Sequence, residues 1–183
     1  MDKRIAKTRT LILDALTEAL EEKPNEKIVI GDILEKAHIS RSTFYAHYKS
    51  IDDLVLSVNK SIFDHVFSHT LKEERSHDFS KSSILDYQNI ITHTLYHLHD
   101  EKRLIKAILS SRQASAFIAQ IHDFVLPIAS LSLRGGIIAR RDLPEDLQTS
   151  EIAESFIVLI HYWFKHDCED TPEKMTAYFL AMN

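Results

Sequence analysis

At 183 residues and a formal net charge of −5, the chain has room for one medium domain or for a small domain joined to a larger one. Hydrophobic residues make up 44%, only three Gly and four Pro interrupt them, and no alternating strand pattern occurs, so the expected class is all-α. Three glycines nearly exclude a phosphate-cradling loop, and no nucleophile elbow or paired-carboxylate site stands out, so no enzyme activity and no cofactor are expected. The one cysteine, Cys168, excludes a disulfide framework within the chain. With no visible signal peptide and no apolar run approaching the ~20 residues of a membrane span, it points to a reducing, cytoplasmic compartment.

In chain order, a first helix is expected from about Lys3 to Glu22, with Ile5, Thr8, Ile12, Ala15, Leu16 and Ala19 on one face and Pro24 and Asn25 ending it. A short second helix follows, in which Ile30, Ile33, Leu34 and Ala37 recur at three-and-four spacing. The chain then turns through His38, Ile39 and Ser40. Ser40 suits an N-cap, since its hydroxyl can satisfy an orphan amide of a helix starting at Arg41. Phe44 and Tyr48 are four apart and point back to the core. That leaves Arg41, Ser42, Thr43, Tyr45 and His47 facing outward. Two short helices divided in this way read as a helix-turn-helix, whose second helix puts its N-terminal residues against base edges. Ser50 and Asp53 then provide a Ser-x-x-Asp start for a long fourth helix, from Ile51 to about Lys72.

The charge agrees with this once it is divided along the chain. Residues 1–60 hold ten Lys and Arg against ten Asp and Glu, so the remaining 123 carry the whole excess of acid. Lys36, Arg41 and Lys49 lie in a stretch without acids, and Lys3, Arg4, Lys7 and Arg9 form a second basic patch. Phosphate binding depends on where cations sit rather than on their total.

Beyond the polar stretch 73–82, read as a loop, Ser83 and Asp86 suit the cap of a fifth helix with Ile84, Tyr87, Ile91, Leu95 and Leu98 as its buried stripe. A sixth helix is expected from about Glu101 to Ser110 and a seventh from about Ala114 to Arg134, kinked or broken at Pro127 and ended by Gly135 and Gly136. RRDLPEDLQ reads as a loop. From Ser150 a helix follows that is apolar almost all round between Phe156 and Phe164. Thr171 and Pro172 start a last helix with Met175, Phe179 and Met182 on one stripe.

The motif from Ala37 to Leu54 resembles the N-terminal domain of the TetR family of bacterial repressors, through Ala37, Ile39, Ser40, Thr43, Phe44, Tyr45, His47, Tyr48 and Leu54 in the family's spacing. Trp163, Phe164, Thr171, Pro172 and Glu173 resemble, more loosely, the C-terminal domain of the Firmicutes branch. The resemblance implies a helix-turn-helix DNA-binding domain at 1–50 and a helical effector-binding and dimerisation domain at 51–183, about nine helices in all. It implies a repressor that binds palindromic double-stranded DNA as a homodimer through the last two helices, released by a small-molecule effector. By its chemistry Arg41 is the choice for reading a base, with Ser42 beside it. Thr43 suits a thymine methyl or a phosphate, and Tyr45, His47 and Lys49 are expected on phosphates. Three positions depart from the family. His38 replaces a Gly, at a turn where His is among the residues enriched in left-handed conformations. Ile51 replaces a frequent Lys, and Val29 and Ile30 replace hydroxyl residues. These changes keep open a protein-interaction module that has lost DNA binding.

Eleven histidines raise a metal-responsive alternative. His65 with His69, and His93 with His97, are spaced by four on expected helices, and His122 or His161 could join them. No Cys or carboxylate stands at a compelling spacing beside either pair, so they read as core-edge or pocket-lining residues and no metal is expected. Tyr87, Ile91, Tyr96, Phe117, Ile121, Phe124 and Trp163 are candidates for lining an effector pocket, though such a stripe more often forms core.

Overall fold

The computed structural model describes residues 3–24, 26–68 and 87–183, and every regular element among them is a helix. These are α1 (Lys3–Glu22), α2 (Ile30–Ala37), α3 (Arg41–Tyr45), α4 (Ile51–Ser68), α5 (Tyr87–Asp100), α6 (Lys102–Leu109), α7 (Ala114–Arg134), α8 (Glu145–Lys165) and α9 (Pro172–Met182). The described residues divide into two compact units. One comprises Met1–Asn59 with Arg103–Phe117, the other Lys60–Lys102 with Ile118–Asn183.

The core of the first unit follows the helical periodicity of its sequence. Ile12, Ala15, Leu16, Ala19 and Leu20 of α1 are buried, as are Ile28, Ile33, Ala37, Phe44, Leu54, Ile105, Ile108 and Phe117. Ile5 lies 46% exposed, so the buried stripe of α1 begins a turn or two later than the sequence suggests. Asn59 is fully buried, and its side-chain amide donates to the Phe117 carbonyl at 2.9 Å. Arg103 grips Glu21 with two hydrogen bonds of 2.9 and 2.7 Å.

In the second unit α9 packs on α5 and α8. The Thr92 and Thr176 hydroxyls meet at 2.8 Å within the core, and Tyr96 donates to Glu173. That bond, with burial, raises the Tyr96 phenol to about 12. Phe156 meets Phe179 edge-on at 5.7 Å, and the Trp163 indole N–H donates to the Asp170 carbonyl at 2.8 Å. The turn from α8 to α9 places Asp167 and Cys168 in the left-handed region, with the Cys168 amide donating to Trp163. Thr171 then caps α9 by accepting from the Lys174 amide.

Several expectations change. α8 starts at Glu145 rather than at Ser150: Glu145 and Asp146 supply the acids that favour a helix N-terminus, and the buried Gln148 donates to the Ala139 carbonyl. Of the kink or break expected at Pro127, the break does not occur, and α7 ends as expected at Gly135 and Gly136, the latter at φ 70°. Met182 is 48% exposed instead of completing the buried stripe of α9.

The expectation that no run approaches a membrane span is also corrected. α7 is 21 residues long and contains an 18-residue stretch of mean hydropathy 1.5, enough by length and composition alone. Gln120, His122, Asp123 and Pro127 punctuate the run without lowering its mean far. Here Ile121, Val125, Ile128, Ala129 and Leu133 of α7 are buried by the protein itself. The stretch 73–82, the Ser83 and Asp86 cap, Ile84 and His69 lie outside the described residues, as does Asn25.

Candidate nucleic-acid interface

The arrangement of α2 and α3 is fixed by the turn between them. His38 sits at φ 51°, ψ 44°, the left-handed conformation that lets the chain reverse after α2. Its amide donates to the Glu35 carbonyl and that of Ile39 to Leu34, closing the helix end. A non-glycine residue there costs about 1 kcal/mol of local strain. Ser40 then caps α3, its hydroxyl accepting from the Thr43 amide at 3.1 Å. The entry to α2 is held differently, because Val29 has no side-chain acceptor. The Asp32 carboxylate reaches back to accept from the Val29 amide at 2.8 Å and from Lys23 at 2.9 Å. Those two donors hold its carboxyl below the ordinary carboxylate value.

α3 is only five residues long, and tertiary packing sets its orientation. Phe44 is fully buried and Tyr48 nearly so, with their rings 6.0 Å apart. These anchors send the intervening side chains outward. Arg41, Ser42, Tyr45 and Lys49 are exposed, and Thr43 and His47 are half-buried beside them. None of the six residues chosen from the sequence is buried, and all lie in α3 or within four residues of its end. The Ser42 and Thr43 hydroxyls each lie 2.8 Å from Ser40 Oγ, so the local network holds them in place. Neither Arg41 nor Lys49 forms an ion pair among the described residues, and both cations face solvent.

Two other cations fare differently. Lys36, grouped with Arg41 and Lys49 by sequence, turns to α1 and pairs with Glu22 at 2.6 Å and Glu18 at 4.0 Å. The signal was present in the sequence, since Glu18 and Glu22 are four apart on α1 and form an acidic row. Arg9 turns inward, donating to the Ser57 carbonyl at 3.5 Å. Ile51, in place of the expected Lys, is 7% exposed and belongs to the core, while Val29 is 50% exposed at the start of α2. The cations left on the face are those of α3 and its exit.

Of the histidines, His122 lies within 4.0 Å of carboxylates of Asp123 and Glu154, and His161 is exposed on α8. His65 comes together with His93 and His97, a grouping of three that the spacing of four along single helices did not reveal. Ile91, Phe117, Ile121 and Trp163, considered as pocket lining, are filled core.

Comparison with known proteins agrees with this geometry. Residues 12–58 match the family model described as bacterial regulatory proteins, tetR family. Over 81 residues the chain is 30% identical to the uncharacterized HTH-type transcriptional regulator YxbF of Bacillus subtilis (strain 168), a stretch covering 44% of this chain and 21% of that protein. The chain thus spans about a fifth of the length of the curated relative it matches. A TetR transcriptional regulator from Streptococcus agalactiae 2603V has the same fold, with a TM-score of 0.68 and 27% identity over 99% of this chain and 96% of that one. AibR in complex with isovaleryl coenzyme A and operator DNA is similar at a TM-score of 0.50 and 14% identity, over 96% and 97% of the two chains. Fold and exposed face together are those of a protein carrying a helix-turn-helix. Residues 12–58 match the tetR-family model, and the chain has the fold of the TetR regulator from Streptococcus agalactiae.

Proposed function

We propose that the protein is a cytoplasmic repressor that binds a palindromic operator as a homodimer and is released by a small-molecule effector. Residues 1–50 serve as the DNA-binding part and 51–183 as the effector and dimerisation part. The observation that carries this reading is the outward face of α3, where the unpaired Arg41 stands beside Ser42 at the first turn of a helix anchored by Phe44. A guanidinium there can pair bidentately with guanine, while Tyr45, His47 and Lys49 bind phosphates and fix the register.

The homodimer is supported by the outward side of α8 and α9. Val158 is 57% exposed and Tyr162 45%, and with Tyr178 and Met182 they line an apolar groove of about 440 Å³. A matching face from a second copy would cover them, in an interface expected to bury upward of ~2,000 Å². Effector control is supported by AibR, a protein of the same fold whose complex holds both isovaleryl coenzyme A and operator DNA. An effector releases DNA only if it binds the DNA-incompetent state more tightly.

The sign of regulation is tested by deleting the gene in its host and measuring transcripts beside the site protected by the purified protein. They rise if it represses. A fall on deletion makes it an activator, and no change at any protected site removes the regulatory reading.

A further inference from the structure

Three consecutive polar residues on α5, Thr92, His93 and Thr94, are buried at 8%, 1% and 1% exposure. Burying polar groups is costly unless each is satisfied. Thr92 spends its hydroxyl on Thr176 at 2.8 Å and Thr94 on the Ile90 carbonyl at 2.8 Å, so the fold itself accounts for both. The imidazole of His93 faces two other imidazoles.

His97, one turn further along α5, brings its Nε2 to 2.9 Å from that of His93. His65 reaches in from α4, its ring centroid 4.5 Å from that of His97 and 5.5 Å from that of His93. The three rings are inclined to one another by 50–74° rather than stacked face to face. One ring nitrogen from each lies within 4.8 Å of the other two. All three residues belong to the second unit, so the cluster does not depend on how the two units are placed.

We infer that His65, His93 and His97 form a binding site for a borderline divalent transition-metal ion of the Zn²⁺ class. Tetrahedral Zn–N bonds of about 2.0–2.1 Å imply ligand nitrogens about 3.3 Å apart, within a few tenths of an ångström of the His93–His97 separation. The His65 nitrogen, within 4.8 Å of the other two, would move inward to close the third edge. The two Nε2 atoms stand at hydrogen-bond distance, and a bound cation would replace that contact. Neutral imidazole nitrogen without thiolate favours Zn²⁺, Ni²⁺, Co²⁺ or Cu²⁺ over Mg²⁺ or Ca²⁺. Three protein ligands leave the fourth position to water or to an added ligand. The ion would clip α4 to α5, giving the cluster a role that the sequence reading of core-edge histidines did not provide. This site is independent of whether α3 reads DNA.

The test uses the full chain, freed of metal by chelator and titrated with Co²⁺ and then Zn²⁺. One Co²⁺ per chain is expected, with the visible d–d absorption of a four-coordinate nitrogen site, displaced by equimolar Zn²⁺. His65→Ala and His97→Ala, at half-buried positions, should each weaken binding by about tenfold or more while keeping the helical circular dichroism spectrum. His161→Ala, on exposed α8, should bind as the parent does. Absence of stoichiometric binding by the folded parent overturns the proposal. So does binding unchanged in both His65→Ala and His97→Ala, or weakened equally in His161→Ala.

Discussion

The outward residues of α3 are Arg41, Ser42 and Tyr45, whereas those of α8 and α9 include Val158, Tyr162, Tyr178 and Met182, each more than a third exposed. In the first region the apolar side chains, Phe44 and Tyr48, are spent on the protein's own core and the solvent side is polar and cationic. In the second, Phe156, Trp163 and Phe179 fill the core and further apolar residues remain outside. An unpaired cation with hydroxyls suits a hydrated polyanion, while an apolar face of this kind suits another surface that excludes water. The same physics of burial therefore leaves two unlike surfaces, one polar and cationic and one apolar.

That contrast is broken most strongly on the apolar side. Val158→Asp would place an unpaired charge in the proposed dimer interface at a cost of about 3–5 kcal/mol. Sedimentation should show monomers at concentrations where the parent is dimeric, and operator binding should fall with it. On the polar side, Arg41→Ala should relax sequence preference by roughly 1–3 kcal/mol, read as the ratio of affinities for the selected site and a scrambled one. Lys49→Ala should weaken both DNAs alike and lower the salt slope by about 1. If Lys49→Ala changed preference and Arg41→Ala did not, the two roles would be exchanged.

Smaller effects sharpen how the helix-turn-helix is held. Asp32→Ala removes the acceptor at the entry to α2 and should cost about 1 kcal/mol in denaturant unfolding. Because the folded-state pKa of Asp32 is lowered, its contribution is complete above the unfolded value near 4 and lost as pH falls through the folded one. The stability difference between parent and Asp32→Ala should therefore be constant at neutral pH and shrink as pH falls through that acid window. His38→Gly should stabilise by up to about 1 kcal/mol, since glycine occupies the left-handed turn without the Cβ clash.

The sequence made the helix-turn-helix legible because its signals are local. Ser40 caps α3 three residues from its amide partner, Phe44 and Tyr48 stand one turn apart, and His38 marks the reversal. Where the outcome depended on residues far apart in the chain, the reading failed or stayed silent. Lys36 was assigned to a basic patch because its acidic partners lie on α1, fourteen and eighteen residues earlier. The start of α8 was placed too late because Glu145, Asp146 and Gln148 read as polar loop, while Gln148 is buried and bonded to Ala139. The histidines were counted in pairs along single helices, and only packing joins His65 on α4 to the pair on α5. The residues that α3 turns outward, Arg41, Ser42 and Tyr45, could be named from sequence because the helical spacing of Phe44 and Tyr48 leaves them on the free side.

The central claim, sequence-specific reading of DNA by the face of α3 in a two-fold dimer, is tested most directly by selecting the purified protein against a random duplex pool at about 0.15 M salt, where non-specific phosphate binding is weakened. The account predicts enrichment of a palindrome with half-sites about one helical turn, ~34–36 Å, apart, and loss of that enrichment for Arg41→Ala. A folded, dimeric parent that enriches no sequence would contradict it.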